Sequence, residues 1–198
     1  MKTTILLLFL ALASCSKDSV KQDPIAQLPP ETQTGANTFG VTINGKVYIP
    51  RDPTGVNVGG ITPRGMKFSG GGSPPNDYTE IDVVDGASSI GFKLIIHIHT
   101  FLNVGEYQLK QSNFQEQGNS VPFNHIYFKI WDTKISNYAY YGSIVNEGKL
   151  KINRRDNGII SGFFSSKFVR YDNPNEFITI TDGRFDINTA TLSNTVFP

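Results

Sequence analysis

From Thr38 onward, hydrophobic residues recur at every second position, the spacing that puts successive side chains on opposite faces of a β-strand. Phe39, Val41 and Ile43 share one face of the first such segment. Asn44-Gly45 follows, a pair suited to the positive φ of a tight hairpin turn, and Lys46 to Ile49 return as the second arm, closed by Pro50. Residues 55–75 are rich in glycine and proline and predict a loop, with Gly70-Gly71-Gly72-Ser73-Pro74-Pro75 as its mobile part. Further strands are predicted at Tyr78–Val84, Ile90–His99, Gly105–Leu109 and His125–Trp131. In the second of these, Ile90, Phe92, Leu94, Ile96 and Ile98 oppose Gly91, Lys93, Ile95, His97 and His99; in the last, Ile126, Phe128 and Ile130 oppose His125, Tyr127, Lys129 and Trp131.

Tyr138–Ile144 and Lys149–Asn153 come next, and Asp156-Asn157-Gly158 turns the chain into a strand over Ile159–Val169. Phe177–Thr181, the turn Asp182-Gly183 and Arg184–Ile187 predict a closing hairpin. No window carries a helical stripe beyond one or two turns. About ten short strands with turn signals between them place the chain in the all-β class, as a single antiparallel β-sandwich or β-barrel domain. The sequence leaves both architectures open.

The first fourteen residues have a different grammar. Lys2 precedes an apolar run from Ile5 to Leu12, far shorter than the roughly 20 residues needed to span a bilayer. A positive start, a short apolar run and small residues mark a secretory signal. Leu12-Ala13-Ser14-Cys15 resembles a lipobox, the bacterial motif at which a cysteine is lipidated and the chain cut before it. That resemblance implies lipid attachment at Cys15, with membrane lipid as a partner. Each buried methylene contributes about 0.8 kcal/mol, and two or more acyl chains suffice for stable anchoring. Ser16 rather than aspartate follows the cysteine, a pattern similar to lipoproteins of the outer membrane, on its periplasmic side or at the cell surface. The domain plan is therefore a signal peptide over 1–14, a lipidated cysteine and disordered tether over 15–37, and an all-β domain over 38–198. The tether reading rests on Lys17, Asp18, Lys21, Asp23, Pro24, Pro29, Pro30 and Glu31, a composition with too little apolar surface to offset ordering.

Charge removes one class of function. The chain has 18 basic and 17 acidic residues, and loss of Lys2 with the signal peptide leaves the mature chain neutral. A nucleic-acid binder needs a basic face, so no nucleic-acid partner is expected. Cys15 is the only cysteine, which rules out an internal disulfide.

Asn37-Thr38-Phe39-Gly40 followed by Asn44-Gly45-Lys46, and Ile180-Thr181-Asp182-Gly183-Arg184-Phe185-Asp186 near the end, together resemble an uncharacterised family of bacterial outer-membrane lipoproteins. Many of its members carry cysteine where this chain has Val41. The resemblance implies one β-rich domain behind a lipobox, and no catalytic residues. Both motifs also read as hairpins, with glycine where positive φ is required.

Candidate chemistry is sparse. His97 and His99 share a strand face, and with His125 they are the raw material of a metal site. Gly91 and His97-Ile98-His99 resemble the start of a cupin motif, but Asn103 and Val104 stand where its glutamate belongs. The plainer reading is a polar outer strand face, and neither a metal nor a cofactor is expected. No Gly-x-Ser-x-Gly elbow is present. Asp172-Asn173-Pro174-Asn175-Glu176 is read as a polar turn rather than a calcium loop. Tyr138 and Tyr140 share a face and are the candidate ligand-binding pair, able to stack on sugars or anchor a protein. The leading expectation is a non-enzymatic binding or structural module anchored in the outer membrane. The alternatives are a glycan-binding accessory protein and a metal-dependent enzyme built on the three histidines.

Overall fold

A computed structural model describes residues 27–54, 64–101, 103–115 and 121–198. Cys15, the signal peptide and most of the tether lie outside the described residues. The ten strands are β1 (Thr38–Ile43), β2 (Lys46–Tyr48), β3 (Met66–Gly71), β4 (Tyr78–Val84), β5 (Lys93–His99), β6 (Gly105–Gln108), β7 (His125–Asp132), β8 (Asn137–Asp156), β9 (Ile159–Arg170) and β10 (Phe177–Asn188). They form one antiparallel sheet curled into a half-barrel, in the order β2-β1-β10-β9-β8-β7-β5-β4-β3, with β6 added beside β8. The all-β class expected from the period-two pattern is the class observed; among the described residues there is no α-helix, and a 3-10 turn lies at Leu192–Asn194.

The concave face holds the core. Phe39, Val41, Ile81, Leu94, Ile96, Phe128, Leu150, Phe164, Phe168, Ile180 and Ile187 all converge there. The two ends of the sheet are tied by the chain after β2. The Arg51 N–H donates to the carbonyl of Val84 at 3.0 Å, and Asp52 accepts from the backbone of Gly65 (2.7 Å) and Phe197 (3.0 Å).

Four elements depart from the sequence reading. The glycine-rich run assigned to a loop contains β3, paired with β4 from Met66↔Val83 to Gly71↔Tyr78. Cross-strand bonding to an alternating neighbour outweighs the low strand propensity of its glycines. Tyr138–Ile144 and Lys149–Asn153 are one strand, β8, with register shifts between Ser143 and Gly148 and between Ile152 and Arg154 where it pairs with β9. The closing hairpin is likewise one strand. Asp182-Gly183 is an irregularity in β10, between Ile180 and Gly183, and Gly183 is not among the positive-φ glycines. Its glycine serves packing instead, since a Cβ there would fall 2.3 Å from Cζ of Phe164. The Asn44-Gly45 and Asn157-Gly158 turns do take positive φ, at 50°, 74°, 49° and 75°.

The fourth departure is the tether. Of its residues, 28–37 lie on the sheet, held by buried Asp186. That carboxylate accepts from the Thr32 hydroxyl (2.6 Å) and from the N–H groups of Thr34 (3.0 Å), Gly35 (2.8 Å) and Ala36 (3.1 Å). Burial alone would raise the Asp186 pKa, but these four hydrogen bonds together pull it below the ordinary range. A polar, proline-rich sequence is ordered here because one buried anion satisfies several of its backbone donors.

Candidate functional site

Alternation along β5 and β7 leaves Ile95, His97, Tyr127 and His125 pointing away from the core, on the convex face. They are not solvated. His97 and His125 are both 0% exposed, because the chain around residues 110–114 and 121–124 lies over them. His97 Nε2 meets the carbonyl of Val121 at 2.9 Å and His125 Nδ1 meets the Ser112 hydroxyl at 2.9 Å. The polar outer face expected for β5 is thus a second, smaller interior.

The structure brings His97 and His125 together as cross-strand partners with ring centroids 5.3 Å apart. Their nitrogens are differently placed. His97 Nε2 faces the Val121 carbonyl at 2.9 Å, and its Nδ1 faces Glu80 Oε1 at 2.8 Å. Both of its ligating positions are therefore occupied. His125 is pushed down to a pKa of about 3, by burial first and by the neighbouring His97 second; its Nε2 meets no hydrogen-bond partner among the described residues. His99 is set at the edge of this cluster, with its backbone N–H on Asn124 Oδ1 at 2.9 Å. Among the described residues no three His, Cys, Asp or Glu side chains are grouped to hold a metal.

The Ser112–His125 contact has the parts of a nucleophile and base, but the hydroxyl is buried and accepts the Phe114 N–H at 3.1 Å. No carboxylate orients the ring from its far side among the described residues, so the contact is read as structural. The carboxylates of the 172–176 turn are engaged too. Asp172 and Glu176 both bind Arg170, at 2.6 and 3.2 Å, together with Asp132 at 2.8 Å. The Tyr141 hydroxyl donates to Glu176 at 2.5 Å; that bond, with Arg170, holds the Glu176 carboxyl below its usual range against the opposing effect of burial. This network locks the end of β9 against β8.

Beside that locked end the convex face opens. Tyr140 is 43% and Tyr171 70% exposed, and the Tyr171 N–H donates to the carbonyl of Tyr140 at 2.9 Å. The Phe114 ring stands over Gly142, where a Cβ would come within 2.7 Å of it. It meets the Tyr171 ring edge-on, with centroids 5.0 Å apart and planes at 72°. Asn113, Phe114, Tyr140 and Tyr171 line an open hollow of about 320 Å³.

Of the sequence-nominated pair, then, only Tyr140 offers a free ring. Tyr138 shares its face but is half-buried, edge-on to Trp131 at 5.4 Å. The Lys129 ammonium lies 4.4 Å above its ring, and its hydroxyl donates to the Ser89 carbonyl at 3.3 Å. Its place in the candidate pair passes to Tyr171 and Phe114, which the sequence analysis did not single out. Register alone joins Tyr171 to Tyr140, and Phe114 arrives from a loop with φ of 59°. The one readable signal was Gly142, a glycine inside a strand, which marks close approach by another group. No protein-family model, no curated protein and no solved structure matches this chain.

Proposed function

We propose that this chain is a lipid-anchored, non-enzymatic binding module of the outer membrane, displaying its convex aromatic site to a glycan. One observation carries the binding reading: three rings, Phe114, Tyr140 and Tyr171, line an open hollow together with Asn113. Apolar walls with a few placed polar groups are the general make-up of ligand sites, and flat exposed rings suit the C–H faces of sugars. The anchor reading rests on Leu12-Ala13-Ser14-Cys15, and display on a tether follows from it.

Calorimetry of the mature chain against an oligosaccharide library tests the site. Binding that disappears in Tyr140→Ala and Tyr171→Ala, with unfolding temperatures unchanged, is the expected result. Binding indifferent to both substitutions would refute it. The anchor is tested separately by metabolic labelling with a fatty acid, which Cys15→Ala is expected to abolish.

A further inference from the structure

A second hollow lies where residues 30–33 cross the convex face. Glu31 and Gln33 of the crossing segment form one wall; Thr38 of β1, Asn153 of β8, Phe163 of β9 and Arg184 of β10 form the other. Phe163 comes eight residues before Tyr171, so the two hollows are about 26 Å apart at the usual strand rise. The volume is about 330 Å³, at the small end of the roughly 300–1,000 Å³ of ligand sites.

An irregularity in β8 builds the sheet side of this hollow. Pairing with β9 steps from Ile152↔Gly162 to Arg154↔Ser161, which leaves Asn153 as an extra residue with no partner opposite. Such a bulge re-aims side chains, and here it turns Asn153 and Arg154 to the same face. Arg154 is used by the fold: it donates to the Gln33 carbonyl and to Asp156, at 3.0 and 2.7 Å, and so pins the crossing segment. Asn153 is not used in that way. Among the described residues its amide, the Thr38 hydroxyl and the Gln33 side-chain amide make no hydrogen bond, yet all three residues line the hollow.

Charge narrows the class of ligand. Arg184, Arg154 and Lys151 stand around the hollow against Glu31, Asp156 and Asp186. Arg184 is set between the Pro29 carbonyl at 3.3 Å and the Glu31 carboxylate at 4.0 Å, so an added anion would meet Glu31 and Asp186 as well. An ammonium group fares no better. The Asp186 oxygens are filled by Thr32 and by the N–H groups of Thr34, Gly35 and Ala36, and the Glu31 side chain is 69% exposed. The groups that remain, two carboxamides and a hydroxyl, each donate and accept, and they stand beside the Phe163 ring. Sugar hydroxyls donate and accept in the same way. We propose that this hollow is a second binding site, for one ring of a neutral sugar, with Asn153, Thr38 and Gln33 on its hydroxyls and Phe163 against its C–H face. The site does not depend on what the aromatic hollow binds.

The test is calorimetry of the full mature chain with the methyl glycosides of glucose, galactose and mannose and with N-acetylglucosamine. Each is run on the parent and in a Tyr140→Ala background, which takes the aromatic hollow out of play. At least one sugar is expected to bind in that background. Asn153→Ala and Thr38→Val should each weaken it about tenfold, the size of one or two lost hydrogen bonds, with unfolding temperatures unchanged. Bound sugar should also slow hydrogen exchange at the Thr34, Gly35 and Ala36 N–H groups, because the crossing segment is one wall of the site. Binding that vanishes in Tyr140→Ala and ignores Asn153→Ala belongs to the aromatic hollow; it overturns the second site and leaves the earlier reading standing. No binding of any of these sugars also overturns the second site, while the oligosaccharide test of the first stands separately. Acetate, methylammonium or glycine binding as tightly as the best sugar, with the same dependence on Asn153, would show that the hollow reads charge and overturn the inference.

Discussion

The two faces of the sheet carry the same kinds of side chain in opposite circumstances. Inward, Phe128, Phe164 and Phe168 are sealed, with Phe128 and Phe168 edge-on at 5.1 Å. Outward, Tyr140 and Tyr171 keep their ring faces open to solvent. Between these extremes lies the covered part of the convex face, where His97 and His125 are as buried as any core residue. Aromatic content therefore does not separate interior from site in this fold; cover does. Cover also decides the treatment of polar groups, since His97 has both nitrogens satisfied whereas His125 keeps Nε2 without a partner.

The largest effect expected from this contrast is on the inner face. Phe164 lies over the bare Cα of Gly183 and against Phe39, at 6.2 Å between ring centroids. No side chain at Gly183 could move in to fill its space. Phe164→Ala should therefore lower unfolding free energy by about 3–5 kcal/mol, read as a shift of the urea midpoint at constant slope. A loss under about 1 kcal/mol would mean the concave face repacks freely, against the close packing of protein interiors.

The covered histidines give the next effect, through pH. His125 stays neutral in the fold down to about pH 3, while in the unfolded chain it takes a proton near its ordinary value of about 6.5. Between those two points the unfolded state binds the extra proton, so stability falls as pH is lowered, by about 1.4 kcal/mol per unit from this residue. Above that window the penalty is absent. His125→Phe keeps a ring beside Tyr127 and Phe123 and removes the titration. Urea midpoints at about pH 7 and pH 4.5 should then converge more in the variant than in the parent. Equal slopes in both would place the His125 proton elsewhere.

A smaller loss is expected where the sheet forks. Pairing of β7 with β8 ends at Tyr127↔Gly142. At the next position the Ser143 hydroxyl replaces the ladder, accepting from the Ile126 N–H at 3.1 Å and donating to the Lys110 carbonyl at 2.8 Å. Ser143→Ala strands both groups and should cost about 1–3 kcal/mol. Hydrogen exchange at Ile126 should quicken with it. Unchanged exchange would show that another acceptor replaces the hydroxyl.

How much of this was legible follows from the range of the forces involved. Local alternation revealed the inner face along most of each strand, because Leu94, Ile96 and Ile98 need only their own strand to declare a side; Ile90, assigned to the same face, lies ahead of β5 and is exposed, since alternation does not mark where pairing begins. Asn44-Gly45 and Asn157-Gly158 were equally local. Asp182-Gly183 misled for the same reason: a turn dipeptide and a glycine making room for a cross-strand ring look identical until the partner is known. β3 was hidden because its order comes from β4, and residues 28–37 because theirs comes from Asp186, some 150 positions away. Of the site, Tyr140 was found as half of a strand pair. Tyr171 and Phe114 depend on which strands and loops lie together, which periodicity does not encode.

The smallest stability change is expected at the site itself, and there the two faces separate most clearly. Tyr171 is 70% exposed and its side chain touches chiefly the edge of Phe114. Its backbone N–H, not its ring, ties β9 to β8. Tyr171→Ala should therefore change unfolding free energy by no more than about 0.5 kcal/mol, as is usual for surface substitutions. An aromatic truncated outside would leave the fold indifferent, while the same truncation at Phe164 cripples it. If Tyr171→Ala instead destabilised the domain by more than about 1 kcal/mol, its ring would be part of the cover over Phe114 and Tyr127. The open hollow would then be a feature of the fold's own packing, with no ring face left over for a ligand.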